Sequence, residues 1–323
     1  MIRALATILL QAGVLGYAFQ AEGPVQVVRK PARPASAVTE RASPMLRVDS
    51  SMVLIPVRVT TAAGSTVNGL RKEDFALFED GVPQNITYFA EDDAPVSVGV
   101  LLDISGSMKD KMRKSAQAAA ALFRYANPED EFCLIEFNWQ AKLTVPFTRD
   151  WSLVARAIGR AKASGYTALL DAIHLGLKQM KRAANSRKAL IVMSDGGDNF
   201  SRRNLRQLKA ALIEADVQLY SLGVYDSDFA AKRTKEERQG PALLSNVTAD
   251  SGGCDFPLVR MEQLPEVSVQ IARDLRNEYV LGYAPPALIS DGKYHRIGLK
   301  LAAPEGDGNW RTYYRQGYYA PVE

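Results

Sequence analysis

A doubly wound α/β domain with a mostly parallel sheet and helices on both faces, framed by a small β-sandwich, is the fold this sequence predicts. Three observations carry the expectation. Two apolar runs, VSVGVLL at 96–102 and KALIVM at 188–193, have the near-continuous hydrophobicity of strands buried on both faces. Around them, strand-like runs alternate with segments of helical period, as parallel crossovers require. Outside that alternation, residues 45–93 and 278–323 hold only short strand-like segments between turn residues.

The chain has 323 residues, 47% hydrophobic and 24% charged, enough for an α/β core and a second, smaller unit. A net charge of +4 leaves no electrostatic footprint for nucleic acid, and short basic clusters such as 109–114 read as solvated helix faces. Residues 1–22 read as a signal peptide. Arg3 precedes an apolar stretch over 4–19 that is too short for a comfortable membrane span, and the cleavage pattern is weakly defined. The expectation is an exported protein, periplasmic or secreted, with no membrane span in the mature chain; an uncleaved N-terminal anchor is the alternative. Residues 23–44, rich in Pro, Ala and charge, read as a flexible linker.

Strands are expected at 46–49, 52–60, 76–79 and 84–90, with Asp80-Gly81 as a hairpin turn and Pro56 marking a free edge or a bulge. The α/β domain spans 94–277. Its expected strands are 96–102, 131–139 paired antiparallel with 141–147, 188–193, 217–225 and an edge strand at 254–258. Its expected helices are 109–125, 151–163, 168–182, 203–215, 241–249 and 262–277, set by apolar residues at helical spacing. A charged loop occupies 226–239. Three further strands, 279–283, 295–301 and 310–319, are expected to pair with those of 45–93, because neither flank holds enough core alone; two independent β appendages are the alternative. The tyrosines at 313, 314, 318 and 319 read as core and edge-strand filling. Only two cysteines and two histidines are present, which excludes a Cys/His zinc site. Cys133 and Cys254 read as free thiols, since a disulfide needs close Cα atoms.

Chemistry-bearing residues fall where the strands are expected to end. Asp103, Ser105 and Ser107 follow the first buried strand, Thr167 starts a helix, and Asp195 follows the second buried strand. Ligands of open α/β sheets bind at the carboxyl ends of strands, at the switch point of strand order. Two carboxylates and three hydroxyls make an all-oxygen set that suits a hard divalent cation, Mg²⁺ first and Ca²⁺ or Mn²⁺ otherwise. Waters or a partner's carboxylate must complete the coordination. Asp171, Asp198 and Asn199 read as loop-holding groups.

Three motifs, Asp103-Ile104-Ser105-Gly106-Ser107, the segment GYTAL at 165–169, and Ser194-Asp195-Gly196, resemble the metal-ion-dependent adhesion site of von Willebrand factor type A domains. The resemblance implies a doubly wound sheet with one antiparallel strand. It implies that Ser105, Ser107 and Thr167 ligate the metal, that Asp103 and Asp195 hold its waters, and that a partner's Asp or Glu carboxylate takes the open position. Tyr166 stands where many members have a second glycine, which narrows the approach without removing a ligand. The flanks, through Gly69-Leu70, Asp74-Phe75, Glu79-Asp80-Gly81, Gln84 and Gly317-Tyr318, look like exported bacterial proteins related to von Willebrand factor A of the Acidobacterial type. The leading expectation is a non-enzymatic protein-binding module. The alternatives are a metal-dependent phosphotransfer or hydrolytic enzyme using Asp103, and a structural part of the cell envelope. Against the enzyme, Ser105 stands where a leaving-group acid would be needed, and no phosphate-binding Gly-rich loop appears.

Overall fold

The computed structural model describes residues 52–62, 64–224, 234–249, 251–258, 261–285, 291–302 and 310–320. The expected leader, linker and strand at 46–49, and most of the charged loop at 226–239, lie outside the described residues. Among the described residues, no helix is long and apolar enough to cross a membrane.

In chain order, the elements are β1 (Val53–Thr60), β2 (Phe75–Glu79), β3 (Val82–Gln84), β4 (Tyr88–Asp92), β5 (Val96–Asp103), α1 (Met112–Phe123), β6 (Glu131–Phe137), β7 (Ala141–Thr148), α2 (Trp151–Arg160) and α3 (Leu169–Met180). They continue with β8 (Arg187–Ser194), α4 (Leu205–Ala215), β9 (Gln218–Val224), α5 (Lys235–Thr248), β10 (Asp255–Leu258), α6 (Leu264–Asp274), β11 (Glu278–Tyr283), β12 (Tyr294–Leu301), β13 (Arg311–Tyr314) and β14 (Gly317–Tyr319).

The central sheet has the order β10-β9-β8-β5-β6-β7. All neighbours are parallel except β6 and β7. Every residue of β5 is buried, which is why its sequence is apolar without alternation. Val98, Val100 and Leu102 pack with α1, α2 and α6 on one face. Leu101 packs with residues of α3, α4 and α5 on the other. Strand β5 is followed in the chain by β6 on one side and β8 by β9 on the other, so the order reverses between β5 and β8. A crevice at the carboxyl end is the geometric consequence.

The flanking strands build two antiparallel sheets, β13-β1-β11-β4 and β14-β12-β2-β3, each mixing strands from before and after the α/β region. Ile55, Val57, Tyr279 and Leu281 of the first sheet meet Phe75, Leu77 and Ile297 of the second in one core. Pairing with β13 begins at Val57, so at Pro56 strand β1 has a neighbour only in β11. That is the free edge the proline requires. The chain leaves these sheets after β4 and returns in β11. Arg187 ties both crossings to β8, donating to Ala94 O at 3.3 Å, Leu275 O at 2.8 Å and Glu278 Oε2 at 2.7 Å.

Four expected elements differ. The strand expected at 84–90 is two strands in different sheets, because Ile86 turns inward between them and is 4% exposed. The strand expected at 310–319 likewise splits at Arg315-Gln316, and β13 and β14 pair in different sheets. The helix expected at 241–249 begins at Lys235, and Pro241 lies inside it. A capping box, with Thr234 Oγ1 accepting from Glu237 N and Glu237 Oε2 from Thr234 N, starts it earlier. The helix expected at 262–277 is a 3-10 turn, Met261–Gln263, followed by α6. Both cysteines are free thiols, Cys133 buried and Cys254 half-buried.

In the sandwich, His295 of β12 faces several acids. Its Nδ1 lies 2.8 Å from Asp80 Oδ2 and 3.7 Å from Glu79 Oε1, and its Nε2 lies 3.3 Å from Asp291 Oδ1. Tyr318 lies beside it and donates to Glu79 Oε1 at 2.7 Å. Burial opposes the charged ring, but the hydrogen bonds and charges of Asp80 and Asp291 outweigh it and raise its pKa above 6.5. The folded state therefore binds the proton more tightly than the unfolded one. The resulting stabilisation is complete below the unfolded value and is lost as pH rises through the folded one. Melting temperatures of wild type and His295→Gln, compared from about pH 5 to about pH 9, are expected to differ most at the acid end and converge at the alkaline end.

Candidate metal centre

Asp103 ends β5 and Ser194 ends β8, side by side at the switch point, since Leu102 and Met193 are paired in register. Asp103 is fully buried and both of its oxygens are engaged. Oδ1 accepts from Ser105 N at 2.8 Å and Oδ2 accepts from Ser194 Oγ at 2.6 Å. The first bond is an Asx turn that bends the chain after the strand and brings the next hydroxyls back over it. Ser105 Oγ lies 3.1 Å from Ser107 Oγ. Ser194 Oγ also accepts from Gly196 N at 2.9 Å, which turns the chain and sets Asp195 above the strand end.

The Thr167 loop is stitched to this turn by backbone bonds. Gly106 N donates to Gly165 O at 2.9 Å, and Ser164 N donates to Ile104 O at 2.7 Å. Thr167 N donates to Asn199 Oδ1 at 2.9 Å, while Thr167 O accepts from Asn199 N and Phe200 N. Asn199 thus holds the loop, as does Asp171, which accepts from Arg202 N and Arg203 N. Asp198 accepts from Ser201 N at 3.2 Å. Asp103, Ser105, Thr167 and Asp195 are all buried, and Ser107 is half-buried.

Two carboxylates this enclosed are electrostatically uncomfortable. Burial and then the charge of Asp195 push the Asp103 carboxyl up to about 7, against the hydrogen bonds from Ser194 and Ser105. One cation already answers this strain. Lys111 Nζ lies 3.1 Å from Asp195 Oδ2, both side chains nearly buried. The lysine stands at the start of α1, four residues after Ser107. In the sequence it reads as part of a solvated basic cluster, and only its closeness to the motif in the chain signals otherwise. Ser194 carries no assigned role there either, although it belongs to the Ser-Asp-Gly motif. Among the described residues, no three His, Cys, Asp or Glu side chains cluster as a metal group. The donor set is instead two carboxylates and three hydroxyls, and it fits a hard divalent cation that relieves the repulsion between Asp103 and Asp195.

Residues 98–197 match the family model of the von Willebrand factor type A domain. An uncharacterised protein of Synechocystis sp. is 26% identical over 186 residues, covering 56% of this chain and 42% of that protein. The chain therefore spans less than half the length of that curated relative. Among solved structures, a von Willebrand factor type A protein from Catenulispora acidiphila shares the fold, with a TM-score of 0.50 at 13% identity over 77% of this chain and 73% of that one. An aerotolerance-related membrane protein from Bacteroides fragilis aligns with a TM-score of 0.44 at 19% identity, over 55% of this chain and 98% of that one.

Proposed function

From a chain that carries a von Willebrand factor type A domain alongside two antiparallel sheets, we propose an exported binding module that captures a partner protein through a divalent cation. Asp103, Ser105, Ser107, Thr167 and Asp195 would hold the cation, Mg²⁺ first. Bound there, it supplies one open coordination position that favours an Asp or Glu carboxylate. The observation that carries the reading is the oxygen-only cluster at the switch point, with its buried pair of like charges.

The chain's own residues each have a part. Asp103 anchors the turn through Ser105 N, and Ser194 fixes its second oxygen. The bonds from Gly106 and Ser164 keep the Thr167 loop beside the two serines. The same geometry argues against phosphoryl transfer to Asp103. Asp103 is fully buried at the strand end, out of reach of a bulky phosphoryl group, while each oxygen, with one hydrogen bond apiece, keeps a lone pair for the cation or its waters. The direct test uses the methylamide of N-acetyl-aspartate as a minimal carboxylate. Its NMR line-broadening with this protein is expected in Mg²⁺ and not in EDTA. Broadening that is equal in both would overturn capture through the cation.

Lys111 competes with the cation for Asp195 under this reading. Lys111→Met removes a positive charge 3.1 Å from that carboxylate. It is expected to tighten Mg²⁺ binding about tenfold, while lowering the melting temperature in EDTA. Calorimetric titration and a thermal scan of both proteins read the two effects.

A further inference from the structure

Three large aromatic side chains stand in solvent around the candidate centre. Trp139 is 47% exposed, Tyr166 60% and Phe200 46%. They are not scattered surface residues. Tyr166 immediately precedes Thr167, and Phe200 N donates to Thr167 O at 3.0 Å. The two rings stack with centroids 5.5 Å apart and planes within 7°. Trp139 lies over Gly165, where a Cβ would come within 2.2 Å of the indole. One loop system therefore carries both the candidate ligand and a stacked aromatic shelf beside it, with Trp139 on the neighbouring glycine.

Charge around the shelf is mostly of one sign. In the loop segments 104–111, 138–140, 162–168 and 196–204, the exposed charged residues are Lys109, Lys162, Arg202 and Arg203 against Asp110. An exposed aromatic surface on loops whose exposed charges are mostly basic, next to a carboxylate-seeking cation, is complementary to an acidic and apolar partner. We propose that the partner segment is a peptide that presents an Asp or Glu to the cation and an adjacent aromatic side chain to the Tyr166–Phe200 shelf. This rests on the cation reading above. Tyr166 is then the residue that sets specificity, because it raises the wall that a glycine there would lack.

The experiment uses the full chain in saturating Mg²⁺ and three synthetic peptides: Ac-Gly-Phe-Asp-Phe-Gly-NH2, its Gly-Gly-Asp-Gly-Gly counterpart, and the form with Asn in place of Asp. The first is expected to bind about tenfold more tightly than the second, from the aromatic contacts, and the Asn form is expected to lose binding. Phe200→Ser and Tyr166→Gly, both at exposed positions, are expected to cut the tenfold preference to about twofold and leave Mg²⁺ affinity unchanged. Equal binding of the first two peptides would overturn the proposal, as would a preference that survives both substitutions. Competition by the neutral sugar cellohexaose, lost in Phe200→Ser, would overturn it in favour of a carbohydrate platform. A protein that fails to bind Mg²⁺ before any peptide is added would sink the cation reading itself, which separates the two failures.

Discussion

Arg58→Ala is expected to lower the unfolding free energy by about 3–5 kcal/mol, the cost of stranding a buried charge. Arg58 sits in the middle of β1 and is 2% exposed. It forms an ion pair with Asp274 of α6, which is 1% exposed. Asp274 Oδ1 also accepts from Thr66 Oγ1 at 3.1 Å and from Gln270 Nε2 at 2.7 Å. The guanidinium lies 4.2 Å from the ring centre of Tyr313 in β13 and 5.6 Å from that of Tyr220 in β9. One side chain thus joins the first antiparallel sheet, the last helix and the central sheet. Alanine removes the cation and leaves Asp274 without its countercharge. Arg58→Met with Asp274→Leu removes both charges, so it is expected to recover most of the loss. Denaturant unfolding of the three proteins checks the ordering. If Arg58→Ala matched wild type, the ion pair would be structurally idle.

The second large effect is expected at Gly240 in α5. A Cβ there would lie 2.2 Å from Asp195 O and 3.0 Å from Gly196 C, both backbone atoms that cannot move aside cheaply. Gly196 itself has a φ of +76°, and a Cβ on it would lie 2.5 Å from Gly240 O. Helix and loop thus touch backbone to backbone, and this contact sets the height of Asp195 over the strand end. Gly240→Ala is expected to cost about 1–3 kcal/mol of stability as overpacking. It should also weaken Mg²⁺ binding about tenfold or more by displacing Asp195. Thermal unfolding and metal titration of the same sample measure the two losses together. Full stability with intact Mg²⁺ affinity would show that the contact does not position the carboxylate.

The α/β architecture is legible because burial leaves a strong mark on sequence. Strands β5 and β8 are covered on both faces and read as near-continuous apolar runs, and the helices between them show their buried stripes. The sheets outside are legible in type and less so in detail. Ile86 has no adjacent Gly or Pro to announce a sheet change, and Gly317, just after Arg315-Gln316, reads as a residue within one alternating strand, so each crossing reads as one strand. Proline is a misleading signal inside α5: Pro241 looks like a helix start, whereas the Thr234–Glu237 capping box is the real one. At the candidate centre, Asp103, Ser105, Ser107, Thr167 and Asp195 are readable as motifs in the right order. Lys111 is not, because a lysine in a basic cluster at a helix start looks solvated until the fold turns it toward Asp195. The aromatic shelf is hidden for a related reason. Trp139, Tyr166 and Phe200 lie far apart in the chain, and only the meeting of three loops makes them one surface.

The most direct test of the central claim is calorimetric titration of wild type, Asp195→Asn and Thr167→Ala with Mg²⁺ in metal-free buffer. One binding event is expected in wild type, lost in Asp195→Asn and weakened about tenfold or more in Thr167→Ala. Absence of binding in wild type, or equal binding in all three proteins, would contradict it.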